Sequence, residues 1–145
     1  MTEDPHDVKI PTNLTFASHR QENEWQDPRL PAILREIVED AANFAFEEFG
    51  WIPVITSIYR DYLENEEAQA KTTIHCVFRA IDIRTRNINQ QWVESVGKYI
   101  NGRWVYDANR PLIPVAYYAP HGTGPHIHFQ SHYNSVKKQP AVEEA

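Results

Sequence analysis

The chain has little cysteine and no long apolar run, and each lack excludes a class of protein. Among its 145 residues there is a single cysteine, Cys76, so an internal disulfide cannot form. The apolar neighbours Val77 and Phe78 favour a buried structural thiol over a reactive one. No apolar stretch is long enough to cross a bilayer, and the start, MTEDPHDVKI, lacks the basic and apolar regions of a secretory signal. We therefore expect synthesis in the cytoplasm and no membrane partner.

Positive charge is also scarce. Fourteen Lys and Arg stand against twenty Asp and Glu, which gives a net charge of -6. Binding to nucleic-acid phosphates needs clustered basic side chains, and the chain has no such cluster beyond Lys137 and Lys138. We expect no nucleic-acid partner. The length and the 41% hydrophobic content suit one domain, which we expect to be a monomer.

Three segments are distinguished by composition. Residues 1–27 are polar, contain Pro5 and Pro11 and have no sustained period, which indicates an extended N-terminal arm. The folded domain is predicted over residues 28–133. Residues 134–145 are predicted to be a disordered tail.

Two helices are predicted from apolar periodicity. Apolar residues recur at spacings of three and four over 33–49, Pro31 suits a first helical turn, and Gly50 suits the position just past the end. A second helix is predicted over 89–100. The charged segment 61–71 has no apolar period, so we expect an exposed loop there.

Strand character is concentrated in the second half of the chain. Residues 51–57 and 72–84 are rich in β-branched and apolar residues, and shorter strands are predicted at 104–106, 115–118 and 127–129. Because helices come early and strands cluster late, the pattern predicts an α+β domain with a mainly antiparallel sheet flanked by helices.

Histidines are concentrated after a glycine-rich turn, where His121, His126 and His128 lie close together. On a strand, residues two apart project to the same face, so His126 and His128 would share one space. Two neutral imidazoles with a carboxylate from elsewhere match the ligand preference of Zn²⁺. The third ligand should then come from a distant segment.

His75 and Asp82 are the candidates from such a segment. They are seven residues apart, and an odd spacing on one continuous strand would place them on opposite faces. Either the chain turns between them, or His75 lies before a strand that carries residues 80–83. His-x-His alone is a weak motif that equally fits histidines hydrogen-bonded in a core, but the two pairs together favour a metal site.

Three segments resemble the D-alanyl-D-alanine metallopeptidases, which share a fold with lysostaphin-type enzymes and the hedgehog signalling domain. The pattern of that family is Ser-x-x-Arg, then Ser/Thr-x-His-x-x-Gly-x-Ala-x-Asp, then a final ligand histidine in His-x-His or Glu-x-x-His. The resemblance covers residues 31–132, and the matching segments are Ser57-Ile58-Tyr59-Arg60, Thr73-Ile74-His75-Cys76-Val77-Phe78-Arg79-Ala80-Ile81-Asp82 and His126-Ile127-His128.

The resemblance implies a hedgehog/DD-peptidase-like fold and roles for five residues. His75, Asp82 and His128 would bind one Zn²⁺ per chain, and His126 would be the catalytic group beside it. Arg60 would anchor a substrate carboxylate through two parallel hydrogen bonds. The alternative for Arg60 is a surface ion pair with a nearby acid.

The chain departs from the family pattern at two positions. Phe78 stands where the family has glycine, so a left-handed backbone is not expected there. Pro125 stands where the Glu-x-x-His members keep a carboxylate base. His126 would then inherit the task of the base, with Asp107 or a glutamate of the 61–71 loop as possible contributors.

By resemblance, the expected function is hydrolysis of peptidoglycan stem peptides, at a terminal D-Ala-D-Ala bond or at an L-Ala-D-Glu bond. Without an export signal, such an enzyme would reach the wall through holin pores or lysis, which indicates a phage or prophage lysis protein. Two alternatives stay open. One is a cytosolic D,D-dipeptidase with the 61–71 loop as a lid, and the other is a non-catalytic, zinc-stabilised binding or virion module.

Overall fold

The computed structural model describes residues 9–61, 64, 74–119 and 124–138. The described part contains three α-helices, a 3₁₀ helix and seven strands. The helices are α1 (His19–Trp25), α2 (Ala32–Phe49) and α3 (Gln90–Arg103), and the 3₁₀ helix covers Ile74–Val77. The strands are β1 (Thr15–Phe16), β2 (Val54–Ser57), β3 (Ala80–Arg84), β4 (Trp104–Val105), β5 (Ala116–Ala119), β6 (His126–Gln130) and β7 (Val136–Lys137).

Five of these strands form one sheet in the order β1-β2-β3-β6-β5, and β4 pairs with β7 in a small second sheet. β1 runs parallel to β2, while the other pairings among the described strands are antiparallel. The chain is therefore a small α+β domain with a mainly antiparallel sheet, as the sequence predicts.

The two faces of this sheet differ in chemistry. Along β3 and β6, Ile81, Ile83, Ile127 and Phe129 alternate with polar residues and belong to the buried apolar core. Helices α2 and α3 pack on this side, and a Cβ placed on Gly97 of α3 would lie 3.8 Å from Cδ1 of Ile127. The polar residues consequently lie together on the opposite face.

Both long predicted helices are confirmed. α2 ends at Gly50, which has a φ of 66° and closes the helix by donating its N–H to Phe46 O at 2.9 Å. α3 begins after Asn89, whose side chain accepts a hydrogen bond from Gln91 N at 2.9 Å, and it continues to Arg103, beyond the predicted end.

The expectation of an extended N-terminal arm is wrong for His19–Trp25, which form α1. Trp25 is fully buried and donates its Nε1–H to Lys9 O at 3.4 Å, and its ring meets the Phe16 ring edge-on. A helix this short has too few apolar positions to give a period, and burial of one large ring stabilises it instead. Strand β1 ties the same segment to the sheet.

Two further expectations are corrected. Val136–Lys137 form β7 and pair with β4, so this part of the predicted tail is ordered. The strand expected over 72–84 is a 3₁₀ helix followed by β3, and Cys76 in that helix is half-buried rather than buried. Residues 139–145, His121 and most of the 61–71 loop lie outside the described residues.

None of the helices in the described ranges combines the length and the apolar character needed to cross a bilayer.

Candidate metal centre and active site

Three of the predicted residues meet in one buried cluster. Asp82 on β3 pairs in register with His128 on β6, so the two side chains are direct cross-strand neighbours. His75 comes from the 3₁₀ helix that precedes β3, which is the second of the two paths that the odd spacing allowed. One ligand atom from each residue lies within 4.8 Å of the others. We call His75, Asp82 and His128 the ligand cluster.

The turn that brings His75 over the sheet is made by Phe78. This residue has a φ of 57°, so the expectation that it could not adopt the left-handed conformation of the family's glycine is wrong. That conformation costs a non-glycine residue roughly 1–2 kcal/mol. Packing offsets the cost, because the Phe78 ring is buried, stacks on Tyr59 at 4.7 Å and lies 4.4 Å below the Arg29 guanidinium.

A backbone carbonyl selects the tautomer of His75. Its Nδ1 lies 3.0 Å from Ile58 O, which can only accept, so Nδ1 carries the proton and donates. In the neutral ring, Nε2 then holds a lone pair, 3.3 Å from Asp82 Oδ1. Within the described residues this buried nitrogen has no hydrogen-bond partner. His75 Nε2 is therefore a nitrogen that could bind a metal ion, and it faces the Asp82 carboxylate.

His128 is held in the complementary way by Gln130. The Gln130 amide donates its Nε2–H to Pro114 O at 2.8 Å, which turns Oε1 toward His128 Nε2 at 3.1 Å. Oε1 accepts, so His128 Nε2 carries the proton. In the neutral ring, Nδ1 presents its lone pair to Asp82 Oδ1, 2.9 Å away.

The Asp82 carboxylate is the negative centre of the cluster. Burial by itself raises the pKa of its carboxyl, but the positive charge of a protonated His75 and the hydrogen bond from a protonated His128 outweigh burial and lower the pKa below its ordinary value. With both rings neutral, two lone pairs face the same carboxylate oxygen, an arrangement that a cation between them stabilises. The donor set of two imidazoles and one carboxylate fits a metal ion, and the buried cluster could hold one.

His126 lies beside the ligand cluster but differs from it in exposure. Its Nδ1 donates to Gly124 O at 2.9 Å, so Nε2 is unprotonated in the neutral ring and lies 3.5 Å from Asp82 Oδ2. Its side chain is 17% exposed, whereas those of the ligand cluster are nearly inaccessible. His126 and Asp82 also line a cavity of about 520 Å³ that opens beside the cluster. His126 is thus the imidazole that a molecule in the cavity can reach.

Arg60 approaches the same carboxylate oxygen as His126, with Nη2 3.9 Å from Asp82 Oδ2. Its Nε is buried and has no hydrogen-bond partner among the described residues. Tyr117 is nearby: its ring lies 4.6 Å from the His128 ring, and burial, helped by the Asp82 charge and opposed by Arg60, raises the pKa of its hydroxyl. Arg60 therefore borders the site. Asp107, which was expected to contribute to base catalysis, instead has its carboxylate paired with Arg110.

Sequence reasoning missed three residues of this site: Gln130, Arg84 and Arg86. Gln130 and Arg84 stand two residues beyond His128 and Asp82, so the two-residue period that placed the histidines also places them on the site face. Tyr117 reaches His128 through the pairing of β5 with β6, which no local pattern specifies.

In comparisons with protein-family models, with curated proteins and with solved structures, the chain matches none of them.

Proposed function

We propose that the protein is a zinc-dependent peptidase that hydrolyses peptidoglycan stem peptides, at a terminal D-Ala-D-Ala bond or at an L-Ala-D-Glu bond, as a phage or prophage lysis enzyme. The observation that carries the proposal is the convergence of the unprotonated atoms His75 Nε2 and His128 Nδ1 on Asp82, next to a cavity lined by His126. The motif resemblance supplies the substrate class.

The metal choice follows from the ligands. Two imidazoles and one carboxylate are a common zinc set in hydrolases, and they leave a coordination place for water. When bound, Zn²⁺ supplies Lewis-acid chemistry, which polarises a carbonyl and makes water acidic enough to react near neutral pH. Ile58 O and Gln130 hold the two rings so that His75 Nε2 and His128 Nδ1 face Asp82, and these are the nitrogens that would bind the metal.

His126 performs the proton transfers. Its Nε2 is free because Nδ1 donates to Gly124 O, so it can accept a proton from the attacking water. The imidazolium that forms is stabilised by Asp82 Oδ2, 3.5 Å away, and it returns the proton to the leaving amine. No carboxylate at position 125 is required for this cycle, since one imidazole serves as base and then as acid.

Arg60 has the position of a substrate anchor. Its Nη2 lies 3.9 Å from Asp82 Oδ2 and its side chain is 16% exposed, so the end of the guanidinium is the part that a peptide carboxylate would meet. An arginine can bind a carboxylate through two parallel hydrogen bonds, which would orient the peptide relative to His126.

The test is digestion of purified cell walls with the zinc-loaded full chain, with products identified by mass spectrometry and metal content measured on the same samples. His126→Ala should keep one zinc per chain and lose roughly 10²–10⁴-fold in turnover. His128→Ala should lose the zinc. His19→Ala, which removes an imidazole with a 97% exposed side chain, is the matched control and should change neither.

Wild-type protein that binds zinc but releases no peptide or amino acid from cell walls would contradict the hydrolysis proposal. Release of free D-alanine from D-Ala-D-Ala alone, with intact walls, would replace it by the dipeptidase alternative.

A further inference from the structure

The cavity beside the ligand cluster carries positive charge that the proposed metal chemistry does not use. Its lining includes Arg84, Arg86, Thr56 and His126, and its only acid among the described residues is Asp82. The volume of about 520 Å³ is within the range that holds a small ligand or part of a peptide.

Arg84 belongs to the same row of side chains as the site. It stands two residues after Asp82 on β3 and pairs in register with His126 on β6. Both relationships place its side chain on the polar face, directly beside the proposed catalytic imidazole.

Arg86 is held at the cavity rim by the turn that follows β3. Thr85 donates its N–H to Pro125 O at 3.2 Å, and Ile88 donates to Thr85 O at 3.0 Å. Asn87 closes the turn in the left-handed conformation with a φ of 63°. The guanidinium lies against Gly124, since a Cβ placed there would be 3.5 Å from Arg86 Nη2.

Neither arginine makes an ion pair or a side-chain hydrogen bond with another residue in the described part of the chain. Acids outnumber basic residues by twenty to fourteen, so carboxylates that could pair with an arginine are plentiful in the sequence. Other arginines do pair with carboxylates: Arg20 with Glu24, Arg29 with Asp27, Arg103 with Asp40 and Arg110 with Asp107. Two guanidinium groups that line one cavity, and that have no carboxylate partner among the described residues, have the chemistry to bind an anion.

We infer that Arg84 and Arg86 bind a carboxylate of the substrate, so that the preferred substrates are peptides with a free α-carboxylate next to the cut bond. This inference rests on the proposed function. Both bonds considered there meet this requirement, because D-glutamate of the stem peptide and a terminal D-alanine each carry a free α-carboxylate on the carbon next to the scissile nitrogen; that carboxylate would lie in the cavity while His126 faces the scissile amide.

The probe is a pair of peptides that differ by one charge: N-acetyl-L-alanyl-D-glutamate γ-methylamide and the same peptide with the α-carboxylate converted to a carboxamide. Binding to the full chain in chelator, where no turnover occurs, is measured by calorimetry. Cleavage by the zinc-loaded chain gives KM and kcat separately.

Wild-type protein should bind the acidic peptide about tenfold more tightly than the amide, and added salt should reduce this preference. Arg84→Gln and Arg86→Gln should each lower the preference, and the double variant should abolish it and raise KM for the acidic peptide with kcat little changed. Arg79→Gln is the matched control, because its guanidinium lies over the Tyr133 ring at 3.9 Å and does not line the cavity.

Equal affinity of the wild-type protein for the two peptides, or a preference that survives in the double variant, overturns the inference. The outcomes also separate it from the proposed function. Preferential binding without cleavage supports the anion site and contradicts hydrolysis, whereas cleavage of both peptides with equal KM contradicts the anion site and leaves hydrolysis standing.

Discussion

His128 Nε2 lies 3.1 Å from Gln130 Oε1, and this contact decides which nitrogen of His128 faces Asp82. The Gln130 amide cannot rotate freely, because its nitrogen donates to Pro114 O on the neighbouring chain segment. The hydrogen bond thus extends the cluster to a residue that is not among the described residues lining the cavity.

Replacing Gln130 by Met should weaken zinc binding roughly 10–100-fold, because the acceptor that selects the His128 tautomer is lost. Gln130→Glu keeps an acceptor oxygen and should lose much less. Competition with a zinc-binding dye measures the affinity, and nitrogen NMR of the metal-free protein reports the His128 tautomer. Gln90→Met, on the exposed start of α3, is the control. Unchanged affinity in Gln130→Met would show that the hydrogen bond has no positioning role.

Adding zinc should raise the melting temperature. A ligand at a hundredfold excess over Kd stabilises a folded protein by about 2.7 kcal/mol, which corresponds to roughly 5–10 °C for a chain of this length. His75→Ala should abolish the shift, and His19→Ala should retain it. Differential scanning calorimetry with and without chelator gives the comparison, and a shift that persists in His75→Ala would place the metal elsewhere.

Phe78 offers a test of stored backbone strain. Its ring is 3% exposed, so truncation should destabilise the protein by about 3–5 kcal/mol. Glycine adopts the left-handed backbone conformation without strain, whereas alanine has a Cβ and retains a conformational cost of roughly 1 kcal/mol. Urea unfolding should therefore find Phe78→Gly more stable than Phe78→Ala by about that amount. Equal stability of the two variants would contradict the argument.

The ion pair between Arg20 and Glu64 should make stability depend on pH in the acid range. The hydrogen bond from Arg20 lowers the pKa of Glu64 from 4.5 to about 2. Since the folded pKa lies below the unfolded one, the contribution is fully present above pH 4.5 and is lost as the pH falls toward 2. The difference in free energy of unfolding between wild type and Glu64→Gln, measured in chelator, should therefore be constant above pH 4.5 and shrink as the pH falls toward 2.

The control for that measurement is Glu48→Gln, which removes an exposed acid that forms no ion pair with another described residue. A difference between wild type and Glu64→Gln that stays constant from pH 7 to pH 2 would exclude the ion pair as its source.

Parts of the site that depend on strand periodicity were predictable from the sequence. The two-residue period placed His126 and His128 on one face, and the odd spacing of His75 and Asp82 correctly required a break in the strand. The same period would have added Gln130 and Arg84. Helix α2 was predictable because its apolar stripe extends over several turns.

The unpredicted parts depend on contacts between distant segments. Phe78 takes a left-handed conformation because Tyr59 and Arg29 pack on its ring, and neither is near it in sequence. The tautomer of His75 depends on Ile58 O, seventeen residues away. Helix α1 is stabilised by burial of Trp25 rather than by its own pattern.

The parallel pairing of β1 with β2 has a practical consequence for anyone shortening the chain. Expression from residue 28 onward would discard Trp25 from the core, remove Ala17 from the cavity wall and leave β2 as a bare edge of the sheet. Exposed edges recruit strands from other molecules, so such a truncation should accumulate as aggregate even though every proposed zinc ligand is retained.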